Sequence, residues 1–406
     1  MTSWGRFQRR FDGIIDDLKA HERLVDNTAH AVGLSELRKV REAVETSKRE
    51  SLERLAREEE AHAGTQYLAV VGWLKLDDRE QAKIFDSVTA EPCKYPGTCD
   101  WILAHPRIAA WMRCSQESSF LTLHGSPGTG KSVLAAQIIN FLRSSGTSLV
   151  VSHLCTYSQT ASTEYDQILR SVLLQLVRSD GDLVAYIFGD FILGKKPVTT
   201  QAIERLIIDT IGAISNNPAQ TKYVHVVVDG IDECGNETQL KTISLLERMV
   251  SAAFASTSAV CKVFVSTCMS SSLAKKLKQK HVVSLSNVHE RTALNKAIAL
   301  YASKKLGGLR SRWFQMGIKD SEMKELEVRL ASKADGPLNS LPYRRKIANR
   351  IAGMFLWARL VLEYLTTNMF LRKAEVMGAV DTLPRELREL FVIDSLMPSR
   401  YAVNFS

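Results

Sequence analysis

The seven cysteines, at positions 93, 99, 114, 155, 234, 261 and 268, are odd in number and include no C-x-x-C pair. This argues against a disulfide or zinc framework and for reduced thiols in an intracellular, cytoplasmic setting. No apolar run approaches the ~20 residues that span a bilayer, and the polar, charged N-terminus is not a secretory signal. No internal repeat occurs, so a solenoid or propeller array is not expected. A basic stripe interleaved with aromatics is also missing, because the 53 basic and 44 acidic residues are spread along the chain. The net charge of +9 suits a polyanionic ligand, and nucleic acid is not expected as a partner. What remains is ordinary globular composition, 45% hydrophobic and 24% charged, in 406 residues, enough for two or three domains.

One stretch organises the rest. Gly125-Ser126-Pro127-Gly128-Thr129-Gly130-Lys131-Ser132 satisfies G-x-x-x-x-G-K-[ST] without a mismatch. The apolar run Phe120 to Leu123 before it reads as a buried strand, and Val133 to Ile139 after it as a helix. Strand, loop and helix come in the order a phosphate-binding loop requires. The glycines let backbone N–H groups turn inward beside the positive end of a helix, which together hold a polyanion. Lys131 is expected to reach the β- and γ-phosphates and Ser132 to ligate Mg²⁺.

A second motif follows about a hundred residues later. The strand-like run Tyr223 to Val228 ends in Asp229, with Gly230-Ile231-Asp232-Glu233 on the next turn. Asp229 is expected to serve Mg²⁺ with Ser132, and Asp232 or Glu233 to orient or deprotonate an attacking water. From Ser118 onward candidate strands (120–123, 149–154, 224–228, 263–266, 282–285) alternate with helices (167–178, 201–214, 239–253). The expected fold class is α/β, a P-loop NTPase parallel sheet flanked by helices, with an all-α N-terminal region and a C-terminal helical region. The domain reading is 1–90 helical, 91–117 connector, 118–288 NTPase, 289–391 helical with a 337–353 insertion, and 392–406 an atypical tail. Within 1–65 the leucines and valines recur at helical spacing against a charged face; a packed hairpin is expected, with a self-associating coiled coil as the alternative. Trp73, Trp101 and Trp111 read as packing anchors. A helix from Met354 to Leu371 should turn Trp357, Leu360, Val361, Tyr364 and Leu365 inward.

The P-loop together with Asp229-Gly230-Ile231-Asp232-Glu233 resembles the NACHT class of signalling NTPases (STAND type), specifically the fungal NLR-like branch whose module is also called nephrocystin-3-like. Pro96 to Leu103, Gly353 to Leu360 and Leu383 to Leu390 resemble further landmarks, so the resemblance runs from about 95 to 391. The first 90 residues are similar to the later part of a helical domain found before such modules. The resemblance implies a nucleotide-controlled switch, closed and monomeric with a diphosphate, open and oligomeric with a triphosphate. Self-association would run through the NTPase and N-terminal helical domains, and family analogy extends to innate immunity or non-self recognition.

Three departures stand out. Val265-Ser266-Thr267-Cys268-Met269 carries cysteine where relatives have the arginine that senses the γ-phosphate, which touches hydrolysis more than binding. Pro337 to Gly353 separates Ala334-Asp335-Gly336 from Met354-Phe355-Leu356-Trp357-Ala358, which relatives run together. It reads either as an unspliced intron kept in frame or as a basic surface loop with Arg344, Arg345, Lys346 and Arg350 solvated. The winged helix and sensing repeats of relatives do not follow Leu390, so a truncated member or incomplete gene model is expected.

Three activities fit: a switch with slow hydrolysis, a work-performing P-loop ATPase, or a non-hydrolysing scaffold that retains weak nucleotide binding. The resemblance implies ATP, with GTP open because members of the fungal branch use either base; a small G-protein is not indicated, since Asn295-Lys296-Ala297-Ile298 fails the guanine-reading N-K-x-D motif at its last position.

Overall fold

The computed structural model describes residues 4–113, 119–215, 222–254, 259–268, 273, 276–277, 281–334, 355–368 and 370–383. The 337–353 segment, the landmark beyond Leu383 and the 392–406 tail lie outside the described residues. Contacts divide the chain into two units, Met1–Ala69 and Val70–Ser406.

The first unit lies in α1 (Trp4–Leu74), 71 residues of unbroken helix. The hairpin expected from the periodicity is therefore not formed. No proline precedes Pro92, and the glycines at 5, 13, 33, 64 and 72 each cost a helix only ~1 kcal/mol. Pairs one turn apart, such as Arg41–Glu45 at 2.9 Å and Glu53–Arg57 at 3.6 Å, support the helix locally. Its apolar positions face solvent at Leu18, 64% exposed, and Leu52, 57% exposed.

The second unit opens with α2 (Asp78–Lys94), N-capped by Asp77, whose carboxylate accepts the Arg79 N–H. After α3 (Pro106–Met112), with proline in its first turn, come β1 (Phe120–His124), α4 (Lys131–Ser145), β2 (Ser148–Leu154), α5 (Tyr165–Arg178), α6 (Gly181–Ile187) and α7 (Thr200–Ser215). β3 (Lys222–Asp229), α8 (Asn236–Phe254), β4 (Ala259–Thr267) and β5 (His281–Ser284) complete the sheet. All five strands are parallel, in the order β2-β3-β4-β1-β5. Covered on both faces, the central strands need no polar alternation, and Val226, Val227, Val228, Val263 and Val265 are fully buried. The strands expected from sequence are all present.

Beneath the sheet, α4 inserts Leu134, Ile138 and Ile139 into a core with Leu121, Leu123 and Phe264. Trp111 closes this core, fully buried, its indole N–H donating to the Val263 carbonyl at 3.1 Å. Trp73 packs on Phe191 with ring centroids 5.4 Å apart. Trp101 is only half-buried and lines a cleft.

A second core belongs to the helices α9 (Val288–Gly307), α10 (Arg310–Gln315), α11 (Asp320–Ala334), α12 (Phe355–Thr367) and α13 (Lys373–Thr382). Within α12, Trp357, Val361 and Leu365 point inward as the spacing predicts. Ala358 and Leu362 join them, while Leu360 and Tyr364 are half-buried. The two cores are tied by Glu91 of α2, which accepts from the Tyr301 hydroxyl at 2.8 Å and from Lys305 at 3.2 Å, both on α9.

Candidate functional site

Gly125 to Ser132 leaves the carboxyl end of β1 and enters α4 at Lys131. Two of its glycines adopt backbone angles that side chains rarely reach, Gly128 at φ 79° and Gly130 at φ 86°. Gly125 is required for a different reason. A Cβ there would lie 2.8 Å from the Thr129 hydroxyl and 2.9 Å from Leu285 Cδ1. The Thr129 hydroxyl donates to the Ser126 carbonyl at 2.8 Å and closes the loop on itself. The result is the curled loop at a helix N-terminus that anion binding needs.

Lys131 Nζ lies over this loop, donating to the Gly125 carbonyl at 3.1 Å and the Ser126 carbonyl at 3.2 Å. It also reaches Cys268 Sγ at 2.8 Å. Cys268 is thus beside the loop lysine, at the carboxyl end of β4, where the arginine of the pattern would stand. Burial pushes its thiol up, against the nearby Lys131 charge.

β4 lies between β1 and β3, yet the acid at the end of β3 still meets the loop. Asp229 is 1% exposed and hydrogen-bonds the Ser132 side chain. Ser266 of β4 bridges the gap, donating its hydroxyl to Asp229 and accepting the Gly230 N–H at 2.9 Å. Burial raises the Asp229 carboxyl above the usual range, opposed by the Ser132 and Ser266 hydrogen bonds and by Lys131. A buried carboxylate paired with a serine hydroxyl is a hard oxygen-donor set, and it fits Mg²⁺.

Asp232 and Glu233 sit half-buried on the following turn. Asp232 Oδ1 accepts the Cys268 N–H at 2.9 Å, and Glu233 Oε2 accepts the Tyr157 N–H at 2.6 Å. Burial raises the Glu233 carboxyl, with Asp232 and Asp229 adding to the effect against the Tyr157 bond. A carboxylate raised in this way is a better proton acceptor than an ordinary glutamate. Burial and the Lys131 charge lower His124, which stands at the end of β1.

The fold brings together all of the residues singled out from sequence: the loop from Gly125 to Ser132, Asp229, and the turn carrying Asp232 and Glu233. Two contributors were not singled out. Ser266 had a signal, a hydroxyl at the carboxyl end of a buried strand. Leu356 had none: its N–H at the start of α12 donates to the Gly128 carbonyl at 3.0 Å, so the C-terminal helices touch the phosphate loop directly. Trp101, Thr98 and α9 line a cleft of ≈ 730 Å³, and Thr98, Trp101 and Ala297 also face Thr129, Gly130 and Phe355 across a small gap.

A protein-family model described as Nephrocystin 3, N-terminal, matches residues 97–268, from the cleft segment through Cys268. No curated protein matches the chain. Among solved structures it is similar to a chain of the E. coli MS115-1 HORMA:CdnC:Trip13 complex, at 14% identity over 83% of this chain and 93% of that one, TM-score 0.36. Domain III of the Thermotoga maritima replication initiation protein DnaA is 11% identical over 75% and 95%, TM-score 0.33. Cdc6p from Pyrobaculum aerophilum is 12% identical over 77% and 89%, TM-score 0.33. At such scores the assignment of the fold rests on the strand order and loop geometry of this chain itself.

Proposed function

We propose that this chain, a P-loop NTPase, is a nucleotide-controlled switch of the NACHT and STAND type, binding ATP in preference to GTP with Mg²⁺. The observation that carries this is the convergence of Lys131, Ser132 and Asp229 at one end of the sheet, with the α12 backbone bonded to the same loop. Lys131 exchanges its bonds to the loop carbonyls for bonds to the β- and γ-phosphates. Ser132 and Asp229 hold Mg²⁺, which when bound offsets phosphate charge. Glu233, or Asp232 beside it, accepts a proton from the attacking water. The base lies in the cleft between Trp101 and α9, where an aromatic face and apolar methylenes suit a purine.

Hydrolysis is slow because Cys268 supplies no charged donor to the transferring phosphoryl group. Loss of the γ-phosphate is read through the Leu356 contact into the C-terminal helices. The exposed apolar positions of α1 and the NTPase module carry self-association. Among the described residues no helix is long and apolar enough to cross a membrane; the reading places the switch in the cytoplasm, with innate immunity or non-self recognition as its family context.

A non-hydrolysing nucleotide-binding scaffold is the second reading, favoured by the main-chain N–H groups that already occupy both acids. Thermal unfolding with Mg-ATP, Mg-GTP or neither tests binding. Nucleotide at ~100 times its dissociation constant adds ~2.7 kcal/mol, a rise of several degrees. Lys131→Ala should abolish that rise, and phosphate release on the same samples separates switch from scaffold. No rise with either triphosphate would overturn both.

A further inference from the structure

Away from the phosphate loop, two segments remote in sequence bring a second set of donors together. His105 stands at the start of α3 and Glu290 in the first turn of α9. Nε2 of His105 and Oε1 of Glu290 are 3.2 Å apart across 185 residues of chain. Their side chains are almost closed to solvent, 5% and 9% exposed. His289, the neighbour of Glu290, is exposed, and its ring centroid is 6.2 Å from that of His105. One donor atom from each of the three residues lies within 4.8 Å of the others. The other ring nitrogen of His105, Nδ1, is buried without a hydrogen-bond partner.

We propose that His105, His289 and Glu290 form a binding site for a divalent transition-metal ion, with Zn²⁺ the best match. Two imidazoles and one carboxylate suit zinc and its neighbours, whereas Mg²⁺ and Ca²⁺ take oxygen donors. His105 Nε2 and Glu290 Oε1 are hydrogen-bonded to each other at 3.2 Å, and since ligands at ~2.0 to 2.1 Å from a tetrahedral ion are ~3.3 Å apart, an ion can replace that bond with little movement of either donor. The third donor is the exposed one, free to close a gap of ~1.5 Å by a change of side-chain rotamer. Three protein ligands leave a fourth position for water or a ligand atom.

The site joins the segment leading into β1 to the first helix of the C-terminal region. His289 also lines the ≈ 730 Å³ cleft beside Trp101. Metal occupancy therefore pins α9 at the cleft wall. This is separate from the Mg²⁺ site at Ser132 and Asp229 in both place and donor type, and it does not depend on the nucleotide reading.

The test is titration of the full chain, stripped with a chelator, with Co²⁺ as a visible probe and Zn²⁺ as competitor. One equivalent of Co²⁺ should bind with d–d absorption, be displaced by Zn²⁺, and show no sulfur-to-cobalt charge-transfer band. In His289→Ala, whose metal-free melting temperature should match the parent because the side chain is exposed, affinity should fall by at least the ~10- to 100-fold that loss of even an outer-shell partner costs. Lys131→Ala should leave it unchanged. Absence of binding, equal binding in His289→Ala, or a thiolate charge-transfer band would each overturn the site.

Discussion

Single side chains decide how this site behaves. Lys131 is held at 2.8 Å from Cys268, so replacing that cysteine with arginine tests two effects at once. Cys268→Arg sets a second cation against Lys131, and the nucleotide-free protein should melt at a lower temperature. With triphosphate bound the arginine should speed phosphate release by about tenfold or more, even if it delivers far less than the ~10³-fold that a transition-state arginine adds at the least elsewhere. Unchanged release would mean that a missing charge at this position does not limit turnover. Ser266 answers to a different test. Its hydroxyl is buried and serves both Asp229 and the Gly230 N–H. Ser266→Ala leaves that N–H without its partner and should cost ~1 to 3 kcal/mol in denaturant unfolding. A cost near zero would show that another acceptor takes over.

At the scale of elements, the join between α2 and α9 carries a pH signature. Burial works to raise the Glu91 carboxyl, but the Tyr301 hydroxyl and Lys305 outweigh it and hold the group below the ordinary glutamate range. A carboxyl depressed in the folded state adds stability above its unfolded pKa and loses it as pH falls through the folded value. Glu91→Gln should therefore be less stable than the parent at pH 7, with the difference closing below about pH 4. A difference that persists in acid would assign the effect to packing instead. The same acid locks the Tyr301 hydroxyl, pushed far up by burial and by the Glu91 bond, so tyrosine stays a donor at every relevant pH.

The whole molecule combines a nucleotide module with a 71-residue helix whose described apolar side chains include exposed leucines. Singly exposed leucines are ordinary on a surface, and at about 100° per residue Leu18 and Leu52 lie ~160° apart around α1, so each is a separate contact for the proposed second copy. If the proposed self-association runs through α1, mass measured by light scattering should rise with concentration in Mg-triphosphate, and replacing Leu18 and Leu52 by glutamate in one chain should reduce that rise. The melting temperature of the nucleotide module should not change, since both positions are solvent-exposed. Persistent oligomers in that variant would move the contact to the NTPase surface.

The sequence by itself determined the local chemistry, because a phosphate loop is specified by glycines at fixed offsets and a buried parallel strand by a short, nearly continuous apolar run. Strands at 120–123 and 224–228, the loop at 125–132, Asp229 and most of the inward face of α12 were legible for that reason. Helical spacing in α1 was legible too, but not its continuity: the same seam serves a hairpin, a coiled coil or one long helix, and only the absence of a turn distinguishes them. Tertiary structure alone decided what depends on pairing across the chain. It set β4 between β1 and β3, which makes Ser266 the bridge to Asp229. It laid the Leu356 N–H on the Gly128 carbonyl and His105 against Glu290. Such contacts form where separate elements happen to end in space, and no periodicity or spacing within either segment records them.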